Sequence, residues 1–265
     1  MPVLHHDGAD LFYQVEGKGP PLLLIMGLGY PSDMWWRELP WLTPHFTTVR
    51  FDNRGVGRTG TGAERPYSVE RMALDARAVL HAAGFASATV FGVSMGGTIA
   101  QELTLTHPEA VDRLLLGCSH PGGADVVIDQ EAIALLASRG AMTPEEAAEA
   151  AIPFIYAPGT PRADIDADLA VRAAHPTDPV GYAAQLTDAV LAWRGSLDRL
   201  PDLAIPTLLV HGDLDRLVPI ENSRRMAAVL PNARLEVLAG ASHIFATDQP
   251  ERTRAVLESF LVHHE

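Results

Sequence analysis

The chain has 265 residues, 47% of them hydrophobic, and a formal net charge of −13 at pH 7. That is enough apolar material for one large domain, or one domain with an inserted piece, and the acidic balance repels phosphate backbones and so argues against a nucleic-acid partner. Its one cysteine, Cys118, excludes an intramolecular disulfide; the N-terminus MPVLHHDGAD has no basic or apolar leader, and the run Leu22 to Met26 is too short to cross a bilayer, so a soluble cytoplasmic protein without a membrane partner is expected.

In chain order, LFYQVEG (11–17) alternates and ends in a turn, as a half-exposed strand does, with His5 and His6 ahead of it. PLLLIMG (21–27) is a continuous apolar run, the signature of a strand covered on both faces. FTTVRFD (46–52) is a further strand. SVERMALDARAVLHAAG (68–84) reads as an amphipathic helix with Ser68 as its N-cap and Gly84 just past its end. Strand ATVFG (88–92), helix GGTIAQELTLTHP stopped by Pro108, and strand VDRLLLGCS (111–119) follow. From 121 to 203 no buried-strand pattern appears. TPEEAAEAAI opens with a capping-box pattern, Thr143 with Glu146, and DADLAVRAAH and DPVGYAAQLTDAVLAW are helical in period. Alternation then resumes through PTLLVHG, NSRRMAAVL, RLEVLAG and QPERTRAVLESFLVHH. The expected fold is α/β: a mostly parallel, doubly wound sheet from 1–120 and 204–265, with a helical insertion at 121–203. In such sheets chemistry sits in the loops after the strands.

Gly92-Val93-Ser94-Met95-Gly96 lies between a strand and a helix. So sharp a turn strains its central residue, needs small neighbours two positions either side, and lifts the serine hydroxyl above a helix N-terminus. A nucleophilic serine needs a base, and the base an orienting acid, in the chain order Ser, Asp or Glu, His. Asp213 and Asp215 follow the strand TLLVHG, and the residues alone leave both open. His243 follows LEVLAG and is the histidine placed for the role: His107 ends a helix, and His263 and His264 are in the tail.

Together GVSMGG, HGDLDRLVP and GASHIFATDQPE resemble the α/β-hydrolase superfamily, over essentially the whole chain. The resemblance implies a helical cap at 121–203, Asp215 rather than Asp213 as the acid, and His243 as the base. It also implies an oxyanion hole from the N–H groups of Leu28 and Met95, with Met26 standing where the family usually has histidine. The expected activity is hydrolysis of a small carboxylic ester or lactone with an apolar body. Carbon–carbon hydrolase, thioesterase and perhydrolase chemistry on the same three residues, and a cofactor-free dioxygenase using the His–Asp pair, are the alternatives. Trp35 and Trp36 after the oxyanion loop, Phe154 and Tyr156 in the insertion, and His120 after a strand are expected to line the substrate pocket. Cys118 is expected to be an inert buried thiol. Gly55-Val-Gly57-Arg-Thr-Gly60 matches a dinucleotide fingerprint but does not lead directly into a helix, so no cofactor is expected; nor is a metal, as no cluster has ligand spacing.

Overall fold

A computed structural model describes residues 2–60, 62 and 64–262; His263 and His264 lie outside them. The elements in chain order are β1 (Val3–His6), β2 (Ala9–Gly17), β3 (Pro21–Ile25), α1 (Leu39–Leu42), β4 (Thr47–Phe51), α2 (Val69–Ala82), β5 (Ala88–Val93), α3 (Met95–Thr106) and β6 (Val111–Gly117). The helices α4 (Gln130–Ser138), α5 (Pro144–Ile155), α6 (Arg162–Ala174) and α7 (Pro179–Ala184) come next, the last running into a π-helical turn at Gln185–Leu191. Strand β7 (Thr207–Gly212), α8 (Glu221–Val229), β8 (Ala233–Leu238), α9 (Phe245–Asp248) and α10 (Pro250–Leu261) complete the chain.

Eight strands form one sheet in the order β1-β2-β4-β3-β5-β6-β7-β8. β2 is antiparallel to both β1 and β4, and the remaining pairs are parallel. The continuous apolar strands bury both faces, as their composition demands. Leu23 and Ile25 enter the core beneath α2 and α3, while Leu22 and Leu24 enter the core on the other face with Leu257 and Leu261 of α10. The register Ile25↔Gly92, Val93↔Gly117 and Gly117↔Val210 brings the carboxyl ends of β3, β5, β6 and β7 to one edge. The chain reverses its direction of travel across the sheet between β3 and β5, which makes their carboxyl ends the switch point where such sheets open a crevice.

One expectation needs correction. A strand precedes LFYQVEG: His5 and His6 belong to β1, which pairs with β2 through a turn in which Asp7 and Gly8 both take positive φ. That is the backbone an Asp-Gly hairpin turn favours. The described part of the final predicted helix, 249–264, is α10, which Pro250 opens, and the short α9 ends just before it. The local signals were otherwise sound. Ser68 Oγ accepts the Arg71 N–H, and Thr143 and Glu146 form the reciprocal capping box. Among the described residues no helix is long and apolar enough to cross a membrane.

Candidate active site

Ser94 joins β5 to α3 with φ 56° and ψ −124°. A side chain at Gly92 would place its Cβ 2.2 Å from the Gly96 carbonyl oxygen, and one at Gly96 would sit 2.1 Å from that of Ile25. The elbow thus closes only because both positions lack a Cβ, and the strain falls on Ser94. The serine is held by its backbone: its N–H donates to the Gly117 carbonyl at 2.8 Å, and its carbonyl accepts from Ser119 Oγ at 2.9 Å. A non-glycine residue at such a φ costs about 1–3 kcal/mol, and glycine's extra unfolded-state entropy returns about 0.4–1 kcal/mol of that. Ser94→Gly is therefore expected to be about 1 kcal/mol more stable than Ser94→Ala, read as a higher midpoint in denaturant unfolding.

His243 follows β8, and its Nδ1 lies 2.7 Å from Asp215 Oδ2. Asp215 follows β7 and is buried. Its Oδ1 accepts the Val218 N–H at 2.8 Å, and its Oδ2 is 3.2 Å from Nε2 of the buried His211. His211 is fixed in turn by Ser223 Oγ and the Val218 carbonyl, both at 2.7 Å. Burial pushes the Asp215 carboxyl up, but the His243 charge and the hydrogen bonds from both imidazoles outweigh it and hold the group below its ordinary 3.8. Burial pushes His243 down, yet the Asp215 carboxylate, with a smaller contribution from Cys118, carries it well above 6.5. Asp213 is exposed and accepts the Gly240 N–H at 2.7 Å, a turn-closing bond. Of the two aspartates, Asp215 is the one bonded to His243.

The Met26–Gly29 loop after β3 is clamped at both ends. Asn53 Nδ2 donates to the Met26 carbonyl at 2.9 Å. From the helices between β6 and β7, Gln185 Oε1 accepts the Gly29 N–H at 2.8 Å and Thr177 Oγ1 donates to the Gly29 carbonyl at 2.9 Å. Gln185 is fully buried and its Nε2 also donates to the Arg54 carbonyl at 2.7 Å. Nothing in the helical period of DPVGYAAQLTDAVLAW separates Gln185 from a surface glutamine. Gln185→Leu leaves two buried backbone groups unpaired and is expected to cost about 2 kcal/mol or more. Loss of activity beyond the loss of folded protein, measured as kcat on folded material, would report displacement of Leu28.

Ser94, Gly27, Leu28, Met95, Cys118, His120 and His243 all stand on the wall of a cavity of about 300 Å³. Met95 is the first residue of α3, where backbone N–H groups have no intrahelical partner. The rest of the wall is mainly apolar, with Met26, Met34, Phe91 and Val93 from the sheet side and Ile133, Leu136, Ala151, Ile155 and Val190 from the helices between β6 and β7. Cys118 is buried and carries φ 41°, and its Sγ lies 3.9 Å from His243 Nε2.

Of the residues expected to line the pocket, Trp35 and His120 do so. The expectation for Trp36, Phe154 and Tyr156 is corrected. Trp36 Nε1 donates to Asp168 Oδ1 at 3.1 Å, and its ring lies under the Arg37 guanidinium. Tyr156 donates its hydroxyl to Asp168 Oδ2 at 3.2 Å. Phe154 stacks with Arg216. On α5 the residues facing the cavity are Ala151 and Ile155, four apart, and Phe154 turns off that stripe. His120 is buried, accepts the Gly122 N–H through Nδ1 at 3.1 Å, and is pushed down to about 4 by burial, so its neutral ring carries the proton on Nε2.

Among the described residues, Cys118, Asp215 and His243 offer ligand atoms within 4.8 Å of one another. Within this group Asp215 Oδ2 is hydrogen bonded to His243 Nδ1 at 2.7 Å. The stretch Gly55 to Gly60 closes on itself through the Gly55 N–H and the Gly60 carbonyl at 2.8 Å, and α2 begins only at Val69. It therefore lacks the helix N-terminus that seats a pyrophosphate.

Comparison with known proteins agrees with this architecture. The α/β-hydrolase fold family matches residues 20–150 and 170–250. A protein of Azorhizobium caulinodans named "Putative carbamate hydrolase RutD" is 31% identical over 265 residues, 98% of each chain. A poly(3-hydroxyalkanoate) depolymerase of Ectopseudomonas oleovorans is 30% identical over 91% of this chain and 84% of its own. The crystal structure of the enol-lactonase from Burkholderia xenovorans LB400 superposes with a TM-score of 0.86 at 22% identity, over 99% of this chain and all of the other. By sequence match, sheet order and the strained Ser94 turn alike, the chain belongs to the α/β-hydrolase fold family.

Proposed function

We propose that the protein is a serine hydrolase of small carboxylic esters or lactones with apolar bodies. The observation that carries this reading is the strained Ser94 on the wall of an apolar cavity shared with His243, whose far nitrogen is tied to the buried Asp215. In the proposed cycle the neutral His243 Nε2 takes the proton from Ser94 Oγ as the oxygen bonds to the acyl carbon. Negative charge on the carbonyl oxygen is met by the N–H groups of Leu28 and Met95. The imidazolium, still hydrogen bonded to Asp215, gives its proton to the departing alcohol oxygen as that bond breaks. Water then gives a proton to His243 and attacks the acyl-enzyme, and the acid leaves with Ser94 restored.

The polyester-cleaving relative supports an ester bond in an apolar acyl chain. The relative named for carbamates favours a second reading, since a carbamate passes through a similar tetrahedral intermediate at the same groups. A panel of p-nitrophenyl esters, aliphatic lactones and O-alkyl carbamates separates the two. Ester or lactone turnover at least tenfold above carbamate supports the first reading, carbamate preference replaces it, and turnover unchanged in Ser94→Ala contradicts both.

A further inference from the structure

Within this apolar cavity one carboxyl has no assigned work. Glu38 stands on the wall, is only 6% exposed, and begins the short α1 turn after Trp35. Its carboxyl lies beside its own backbone N–H, which donates to the Trp35 carbonyl at 3.0 Å. Among the described residues no other residue gives it a hydrogen bond. The charged groups that face it are Arg37 and Asp168. Arg37 is already committed: Nε donates to Asp168 at 3.1 Å, Nη2 donates to the Asp164 carbonyl at 3.1 Å, and the guanidinium lies over Trp36. Asp168 is itself filled by Trp36, Tyr156 and Thr247. Polar groups elsewhere on the wall, Tyr30, Ser94, His120, His243 and Arg139 among them, make no bond to it. A buried carboxyl in such a place costs stability that leucine or methionine would not. Unpartnered and open to the cavity, it is placed to meet something that enters there.

We propose that Glu38 is a second anchor of the substrate site, which selects esters or lactones carrying a hydroxyl group on the apolar body, away from the scissile carbonyl. This rests on the reading of Ser94 as the nucleophile. The choice of a hydroxyl follows from hydrogen-bond inventory. Burial, with Asp168 adding to it, brings Glu38 to about 7, so both its forms are populated near neutrality. A hydroxyl donates to the carboxylate and accepts from the carboxylic acid, and so pairs with either form. A ketone pairs with the acid alone, and an ammonium with the carboxylate alone.

The test uses p-nitrophenyl esters of straight-chain acids from about four to ten carbons, each beside its ω-hydroxy counterpart, so that chain length locates the anchor. In the wild type one length is expected to show kcat/KM about tenfold higher for the hydroxylated ester, at pH values on both sides of 7. Within Glu38→Met the same ratio is expected to fall to about one or below. Within Glu38→Gln, whose amide both donates and accepts, a preference remains. Because each ratio is taken within one protein, general damage cancels, and a thermal melt confirms the fold. A flat ratio at every length in the wild type overturns the anchor, as does a preference that survives in Glu38→Met, or one confined to ω-keto or ω-amino esters. Release of p-nitrophenol with a flat ratio overturns the anchor alone. No release from any ester overturns the hydrolase reading as well.

Discussion

Replacing Ser94 by alanine is expected to lower kcat on a responsive ester by a factor on the order of 10⁶, with folding intact. The magnitude follows from what is lost. Without Oγ no acyl-enzyme forms, and the remaining groups can only polarise the carbonyl and position water, which by analogy leaves about 10³–10⁴ over the uncatalysed rate. Stability is expected to change little, because the backbone of residue 94 keeps the hydrogen bonds it makes with Gly117 and Ser119. KM should move far less than kcat, since the cavity wall is mainly apolar and the hydroxyl is a small part of it. A fall confined to KM would contradict a nucleophilic role.

Asp215→Asn is the second large effect, a drop in kcat of about 10⁴, and it carries a pH signature. Only neutral His243 can accept the serine proton. With the Asp215 carboxylate in place His243 lies well above 6.5, so kcat/KM should climb with pH through an apparent pKa above 6.5. In Asp215→Asn the desolvation remains and the favourable charge is gone, so that limb should move below 6.5 while the plateau falls. Stability runs the other way. His243, raised on folding, contributes fully below 6.5, and the contribution fades as pH rises through its folded pKa. Asp215, lowered on folding, contributes above 3.8, and its contribution is lost as pH falls through its folded value. The pair therefore stabilises the fold most between about 3.8 and 6.5, where the base is protonated and turnover is weakest. In Asp215→Asn the maximum in that window should be lost, and the denaturant midpoint should fall as pH drops through the lowered His243 pKa.

The legible parts of this chain were those set by short-range chemistry. Buried parallel strands appear as apolar runs, helix starts as Ser68 and Thr143, and the elbow as glycines two places either side of Ser94. Loops at strand ends located His243 and the pair Asp213 and Asp215, and the family resemblance alone favoured Asp215. The hairpin turn at Asp7-Gly8 was written in plain dipeptide code, yet four residues of β1 are too few to alternate visibly. Which aromatics face the cavity was not legible. Trp36, Phe154 and Tyr156 are drawn away by partners distant in sequence, chiefly Asp168 and Arg216, and only tertiary contact decides such competition. Gln185 and Glu38 were missed for the same reason: one polar residue on a helix or a turn gives no periodic signal, and its meaning depends on Gly29, Arg54 or the cavity it meets.

The central claim is that the Ser94 hydroxyl is a nucleophile activated by His243. It is tested most directly by incubating the protein with a fluorophosphonate and locating the covalent adduct by peptide mass spectrometry, with Ser94→Ala and Asp215→Asn treated alongside. A phosphonyl group on the Ser94 peptide of the wild type, absent from Ser94→Ala and formed far more slowly in Asp215→Asn, is the predicted result. Folded wild-type protein that stays unlabelled, or that carries the adduct elsewhere, would contradict it.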